Sequence, residues 1–102
     1  MGLAMLAEKL SAEQAANWGL IWQCVEDAKL VETCAALTEH LASQPTVGLA
    51  YMKNLLRHSS DHTLEEQLNF ERDYQAAASQ TEDFKEGVQA FLEKRKPDFK
   101  GR

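Results

Sequence analysis

The chain has 102 residues, with 44% hydrophobic and 26% charged content and a formal net charge of −5. This length predicts a single domain, spanning residues 1–102, with the composition of an ordinary globular protein. The acidic balance argues against nucleic-acid partners, and no apolar run reaches the roughly 18–20 residues of a membrane span. Two cysteines, Cys24 and Cys34, are too few for a disulfide scaffold and fit a reducing, cytoplasmic compartment.

The first quarter of the chain predicts short helices and one strand-like segment. Ser11 opens "SAEQ", which has the spacing of a capping box, and Gly19 is placed to end that helix. "LIWQCV" (residues 20–25) has the β-branched and aromatic content of a strand, but a lone strand needs a partner. We interpret Trp18 and Trp22 as core or interface residues rather than as a stacking platform.

The middle of the chain predicts three helices from caps and apolar spacing. Asp27 is expected to cap a helix that runs to about Ser43. Pro45 should end that helix and allow a second one from residue 46 to about residue 58. "TLEE", which starts at Thr63, has capping-box spacing and predicts a third helix to about Ser79.

A last helix is expected from the cap Thr81, with Lys94, Arg95 and Lys96 in its final turn and Pro97 as its stop. From residue 91 onward there are five Lys/Arg against two Asp/Glu, whereas six stand against fourteen before it. Such segregation indicates either a site for an anionic partner or a solvated helix end.

Phe91 can be interpreted either as a core residue or as part of a nucleotide site. Helical spacing places it on one face with Phe84 and Val88, which is typical of a core residue. Lys94 lies three residues further on, on the same side of a helix. An aromatic ring beside an ammonium group could instead hold a planar base next to a phosphate.

Several groups of residues imitate catalytic sites without meeting their requirements. His58 and His62 are four apart, but the loop between them and the lack of further ligands argue against a metal. Residues 59–62 contain the residue types of a catalytic triad, yet four loop neighbours cannot converge as a triad must. The carboxylate pairs at 65–66 and 82–83 suit the positive ends of helices. We therefore predict no catalytic residue and no metal site.

Taken in order, the stretches "GLAMLAEKLSAEQAANWGLIWQCVED", "QPTVGLAYMKNLL" and "TLEEQLNFERDYQAAASQTEDFKEGVQAFLEKRKPDFKGR" resemble the C-terminal part of the crotonase (enoyl-CoA hydratase/isomerase) superfamily. "TLEEQLNFERDYQ" and "WGLIWQCVED" are most similar to the ring-1,2-epoxyphenylacetyl-CoA isomerases of phenylacetate degradation. The resemblance implies an all-α C-terminal helical domain of a crotonase-like fold. It would have about five to six helices and at most one strand-like segment, and the N-terminal β-spiral catalytic domain would be absent.

The resemblance also implies roles for the end of the chain. In this superfamily the last helix supplies part of the coenzyme A site. Carried over by motif, Phe91 would lie against the adenine ring and Lys94 would pair with a phosphate. Arg95, Lys96 and Lys100 would then add only diffuse attraction, and a solvated helix end is the simpler reading for these three.

The oxyanion hole and the acid/base carboxylates of the superfamily have no counterpart among these residues. The chain by itself is therefore expected to be inactive. No cofactor is expected, because a CoA thioester would be the parent enzyme's substrate. Self-association through trimer-type contacts is expected, with exchange of the last helix between copies as one route. A stand-alone helical protein-interaction module and a small helical acyl-CoA carrier are the alternatives.

Overall fold

The computed structural model describes residues 2–102, which form six α-helices and one 3₁₀ turn without any β-strand. The elements are α1 (Gly2–Leu6), α2 (Ala12–Asn17), the 3₁₀ turn (Asp27–Lys29), α3 (Leu30–Ala42), α4 (Thr46–His58), α5 (Leu64–Ala78) and α6 (Glu82–Glu93). The predicted all-α fold class is confirmed over this range. The chain divides into two compact units, residues 1–35 and residues 36–102, with the boundary inside α3.

The first unit begins with two short helices, and the caps of the second are the predicted ones. The Ser11 hydroxyl accepts a hydrogen bond from the Gln14 N–H, and the Gln14 side chain accepts one from the Ser11 N–H. Gly19 has a φ of +73°, and its N–H and that of Leu20 close the last turn of α2 on the carbonyls of Ala16 and Ala15. Glycine suits this left-handed position because it has no Cβ.

Residues 20–25 form bends and irregular backbone, in keeping with the expectation that a strand here needs a partner, and no neighbouring strand is present among the described residues. One expectation for the first unit is wrong. Asp27 is not the N-cap of a long α-helix. It opens the 3₁₀ turn, which Glu26 precedes and in which the Lys29 N–H donates to the Glu26 carbonyl at 2.8 Å.

In the second unit, α4 and α5 pack against each other as an antiparallel pair. Rings line their contact: the Tyr51 and Tyr74 centroids are 4.8 Å apart, those of Tyr74 and Phe70 6.3 Å, and those of Phe70 and His62 4.7 Å. Such tilted ring pairs add stabilisation beyond the area that they bury. At the start of α5, the predicted capping box between Thr63 and Glu66 is present.

The chain has little apolar core of its own. Among the described residues the buried apolar side chains are Ala15 and Ala90, and no large side chain is fully buried. Trp18 and Trp22 are exposed, so the interpretation of these two as core residues is wrong for this chain, and an interface role stays a prediction. No helix in residues 2–102 is both long and apolar enough to cross a bilayer.

Candidate functional site

The candidate site lies where α6 ends, in the second unit. Thr81 caps this helix as predicted, with its hydroxyl accepting a hydrogen bond from the Phe84 N–H at 3.1 Å. Phe84, Val88 and Phe91 follow along one face of α6, and all three are exposed. Phe91 has the largest exposed fraction of them, 83%, so it is not a core residue of this chain.

Lys94 lies beyond the helix rather than in its final turn. It has φ 55° and ψ 39°, in the left-handed region, and its N–H donates to the Phe91 carbonyl while the Arg95 N–H donates to the Ala90 carbonyl. This pair of bonds is the Schellman closure, in which glycine is the usual residue at the left-handed position. The prediction that Lys94, Arg95 and Lys96 continue the helix is therefore wrong, because the chain reverses direction at Lys94.

The segment that follows returns along α6, and we call residues 97–102 the C-terminal strap. Arg95 leads into it and forms a two-pronged ion pair with Glu86, through Nη1 at 2.5 Å and Nη2 at 2.9 Å. The Asp98 N–H donates to the same Glu86 carboxylate at 2.8 Å. Arg102, at the end of the strap, donates from Nε to Glu82 at 2.8 Å.

Asp83 is the buried anchor of the strap, with an exposed fraction of 2%. Its Oδ1 accepts from the Lys100 N–H at 2.6 Å, and its Oδ2 accepts from the Gly101 N–H at 2.8 Å. Its own N–H donates to the Arg102 carbonyl at 3.0 Å. Sequence reasoning placed this carboxylate in the first turn of α6, which is confirmed. It missed the contact with the strap, because the partners lie 17 and 18 residues away.

The strap contacts both α6 and α4. A Cβ at Gly87 would lie 3.6 Å from the Phe99 ring, so the ring packs directly over this glycine. Gly101 has a φ of +75°, and a Cβ there would lie 2.6 Å from the Thr46 hydroxyl at the start of α4. Sequence reasoning assigned no role to Phe99 or Gly101, because their contacts at Gly87 and Thr46 lie far away along the chain.

An apolar groove of about 430 Å³ lies beside these contacts, and we call it the α4–α6 groove. Its lining includes Val47 of α4, Phe84, Val88 and Phe91 of α6, and Phe99 of the strap. Phe91 thus belongs to an apolar surface that ends one turn before Lys94, whose ammonium group forms no ion pair or hydrogen bond with any described residue.

The strap also shows which of the terminal cations are available. Arg95, Lys100 and Arg102 form ion pairs with carboxylates of α6 or of the strap itself. The side chains of Arg95 and Lys100 form these ion pairs while 40% and 56% exposed, so their interpretation as solvated cations stays a prediction. The ammonium groups of Lys94 and Lys96 form no ion pair or hydrogen bond with residues 2–102, and both side chains are exposed.

The ion pair around Arg95 shifts the pKa of its partners. Hydrogen bonds from the Arg95 guanidinium, and then from the Asp98 N–H, lower the pKa of Glu86 from 4.5 to about 2. A hydrogen bond from Gln89, and then one from Arg95, lower the pKa of Glu93. The same carboxylates, Glu86 first, raise the pKa of Arg95. The reversal after α6 is thus held by charges that persist over the physiological pH range.

The other groups considered from the sequence do not converge into a site. His58 ends α4 and its Nδ1 lies 2.8 Å from the Asn54 carbonyl, while Nδ1 of His62 lies 3.1 Å from Oε1 of Gln67. The two imidazoles stack with their centroids 5.8 Å apart. Over residues 2–102, no cluster of three or more His, Cys, Asp or Glu side chains could hold a metal ion. Glu65 and Glu66 lie in the first turn of α5, as predicted.

Comparison with known proteins identifies the family. The profile of the enoyl-CoA hydratase/isomerase family matches residues 1–102. The chain is 51% identical over 102 residues to 1,2-epoxyphenylacetyl-CoA isomerase of Escherichia coli K12, and 32% identical over 104 residues to carnitinyl-CoA dehydratase of Salmonella typhi. The crystal structure of an enoyl-CoA hydratase subunit I from Geobacillus kaustophilus superposes with a TM-score of 0.87 at 38% identity. The chain therefore belongs to the enoyl-CoA hydratase/isomerase family, the crotonase superfamily.

The matches cover nearly all of this chain but less than half of each relative. The E. coli isomerase is matched by 100% of this chain and over 39% of its own length, and the Salmonella dehydratase by 98% and over 40%. The Geobacillus structure is matched by 91% of this chain and over 36% of its own length. The resemblance seen in the sequence, including the similarity to an epoxyphenylacetyl-CoA isomerase, is confirmed.

Proposed function

We propose that this chain is the C-terminal helical part of an acyl-CoA isomerase or hydratase, and that it contributes Phe91 and Lys94 to a coenzyme A site. The parent enzyme would isomerise ring-1,2-epoxyphenylacetyl-CoA or an enoyl-CoA, the first because the E. coli relative carries that name. The observation that carries the proposal is that two available groups lie three residues apart at the end of α6. Phe91 is 83% exposed, and the Lys94 ammonium group has no partner in residues 2–102. The chain in which they occur belongs to a family of CoA-thioester enzymes.

Phe91 and Lys94 match the purine and the phosphates of the nucleotide. A purine can stack on the exposed Phe91 ring, a contact worth roughly 1–3 kcal/mol. Lys94 suits a phosphate because an ammonium group binds it as a point charge, with a charge-assisted hydrogen bond of roughly 1.5–3 kcal/mol. The two terms sum to about 2.5–6 kcal/mol, and the loss of translational and rotational freedom on association opposes them by about 4 kcal/mol or more. The chain alone should therefore bind CoA weakly, with a dissociation constant of about 1 mM or higher, since 1 mM already requires about 4.1 kcal/mol.

Chemistry on the acyl group would come from elsewhere in the parent enzyme. Thioester chemistry requires acid, base and oxyanion donors directed at one point, and the family resemblance places none of these groups among the residues of this chain. We propose that the 102-residue chain turns over neither crotonyl-CoA nor ring-1,2-epoxyphenylacetyl-CoA. We also place it in the cytoplasm, since two cysteines are too few for a disulfide scaffold.

Exposed apolar side chains support self-association as a further part of the proposal. In the second unit four apolar side chains of the α4–α6 groove are exposed: Phe84, Val88, Phe91 and Leu92. Exposed apolar surface that lines one groove is typical of protein interfaces. Light scattering of the chain at high concentration tests this part, and a monodisperse monomer would contradict it.

The CoA assignment is tested by titrating the chain with CoA and following amide shifts by NMR. Phe91→Ala and Lys94→Gln should each weaken binding at least about threefold, because each removes one of the two contacts. Lys96→Gln is the matched control, since the Lys96 side chain is also exposed and has no partner in residues 2–102 but lies beyond the reversal. Binding that is absent in the wild type, or equal in all four proteins, would contradict the assignment and leave only the assembly role.

A further inference from the structure

The strap closes on the segment that carries the proposed CoA contacts. Lys94 is the point of reversal, and the residues after it are fixed at two places on α6. Arg95 is held by Glu86, and the far end of the strap is held by Asp83. Because Lys94 adopts a left-handed conformation without being glycine, its backbone is held there at a cost of about 1–2 kcal/mol that these contacts offset.

The contact at Asp83 is built as a specific anchor rather than as a surface ion pair. Its carboxylate is buried, and both oxygens are aimed at successive N–H groups of the strap. Buried charges need full hydrogen bonding, which Asp83 obtains only when the strap is closed. Glu82, the next residue towards the N-terminus, instead meets Arg102 where both side chains are largely exposed, at 64% and 73%.

We propose that Asp83 is a positioning residue for coenzyme A. It locks the C-terminal strap against α6, and the locked strap fixes the reversal at Lys94. This inference rests on the proposed function, because Lys94 supplies one of the two proposed contacts. Asp83 does not touch the ligand and acts through the backbone that carries Lys94.

Amide hydrogen exchange tests the anchor independently of any ligand. Asp83→Asn replaces one acceptor oxygen by an NH₂ group that faces a backbone N–H, so the Lys100 and Gly101 amides should exchange at least about tenfold faster. In the control Glu82→Gln, which loses only an exposed ion pair, the same amides should stay within about threefold of the wild type. Unchanged exchange in Asp83→Asn would overturn the anchor.

CoA titration of the same variants tests the positioning role. Asp83→Asn should weaken binding about three- to tenfold, and Glu82→Gln should not. Combining Asp83→Asn with Lys94→Gln should cause no further loss, because the anchor acts through Lys94. Losses that multiply in the double variant, or an affinity that is unchanged while the strap amides exchange faster, would overturn the positioning role.

A second variant covers the case in which Asp83→Asn loses helical circular dichroism. Gly101→Ala opens the strap from its exposed end and leaves Asp83 and α6 intact, so it should reproduce the loss of affinity and its dependence on Lys94. Equal affinity of Gly101→Ala and wild type would count against the proposal. If wild-type chain binds no CoA, the proposed function fails and the positioning role with it, whereas the exchange rates still decide whether Asp83 holds the strap.

Discussion

Replacing Gly101 by alanine is expected to open the C-terminal strap, because two independent features of the structure require glycine at this position. Its φ is +75°, in the region that residues with a Cβ rarely adopt. A Cβ would also lie 2.6 Å from the Thr46 hydroxyl oxygen, which is closer than two such atoms can approach. The strap residues bonded to Asp83 would have to shift together with the backbone at Gly101.

The expected size follows from these two features. A left-handed conformation costs a residue with a Cβ about 1–2 kcal/mol, and the reduced freedom of the unfolded chain returns roughly 0.4–1 kcal/mol. Turning the Thr46 hydroxyl away adds about 0.5–1.5 kcal/mol where the new rotamer is unfavourable. The net destabilisation of the closed strap is thus about 0.5–3 kcal/mol, which corresponds to an opening equilibrium about 2–200-fold larger.

Amide exchange of Asp98 and Lys100 by NMR measures this opening, and two further variants isolate its causes. Gly48→Ala is the matched control, since nothing lies within 4 Å of a Cβ there and the position is helical. It should stabilise α4 by roughly 0.5–1 kcal/mol without changing the strap. Thr46→Ala, added to Gly101→Ala, should restore only the steric part of the loss. Exchange in Gly101→Ala within about twofold of wild type would refute the reasoning.

Three further predictions concern single positions. Lys94→Gly should raise stability by about 0.5–1 kcal/mol by relieving the left-handed backbone while weakening CoA binding; equal stability in urea titrations of Lys94→Gly and Lys94→Gln would be inconsistent with this. The pKa of Glu86 is lowered to about 2, so its stabilising contribution is complete above pH 4.5 and is lost as the pH falls through about 2. NMR titration should show that midpoint, and Arg95→Gln should raise it; a wild-type midpoint near 4.5 would be the contrary result. Thr63→Ala should lower the free energy of unfolding, followed by helical circular dichroism on heating, by about 1 kcal/mol. Ser60→Ala, in the preceding loop, should not lower it; equal losses in the two variants would argue against the cap.

The helix starts that depend on neighbouring residues could be predicted from the sequence. Ser11, Thr63 and Thr81 each cap a helix through a hydroxyl that accepts from an N–H three residues on. These interactions lie within one turn, so residue type and spacing are sufficient to identify them. Asp27 is also of a residue type that favours the N-cap position, but it caps no α-helix, because the chain enters α3 through a 3₁₀ turn that no local pattern predicts.

The end of α6 could not be predicted, for a reason that lies outside the helix. No glycine marks the left-handed position at Lys94, and the cations that follow are compatible with a final helical turn. The chain reverses there because Arg95 binds Glu86, nine residues back, and because the strap binds Asp83. Contacts over such separations depend on the folded arrangement and leave no periodic signal.

For the candidate site, the sequence supplied the residues and the structure supplied their surroundings. The motif resemblance pointed to Phe91 and Lys94, and their exposure in the structure supports that choice without testing it. The charge segregation of the tail predicts an excess of cations there, but only part of this charge is available to an anionic partner. Three of its five cations are engaged in ion pairs, so the attraction left for an anionic partner is concentrated at Lys94 and Lys96.

The most direct test of the central claim is a search for intermolecular nuclear Overhauser effects between CoA and the 102-residue chain. The account predicts contacts from the adenine H2 and H8 protons to the Phe91 ring, together with a shift of the Lys94 side chain that follows the phosphate resonances. Saturable CoA binding whose adenine contacts lie instead at Trp18, Trp22 or Tyr51, with Phe91 unperturbed, would contradict it.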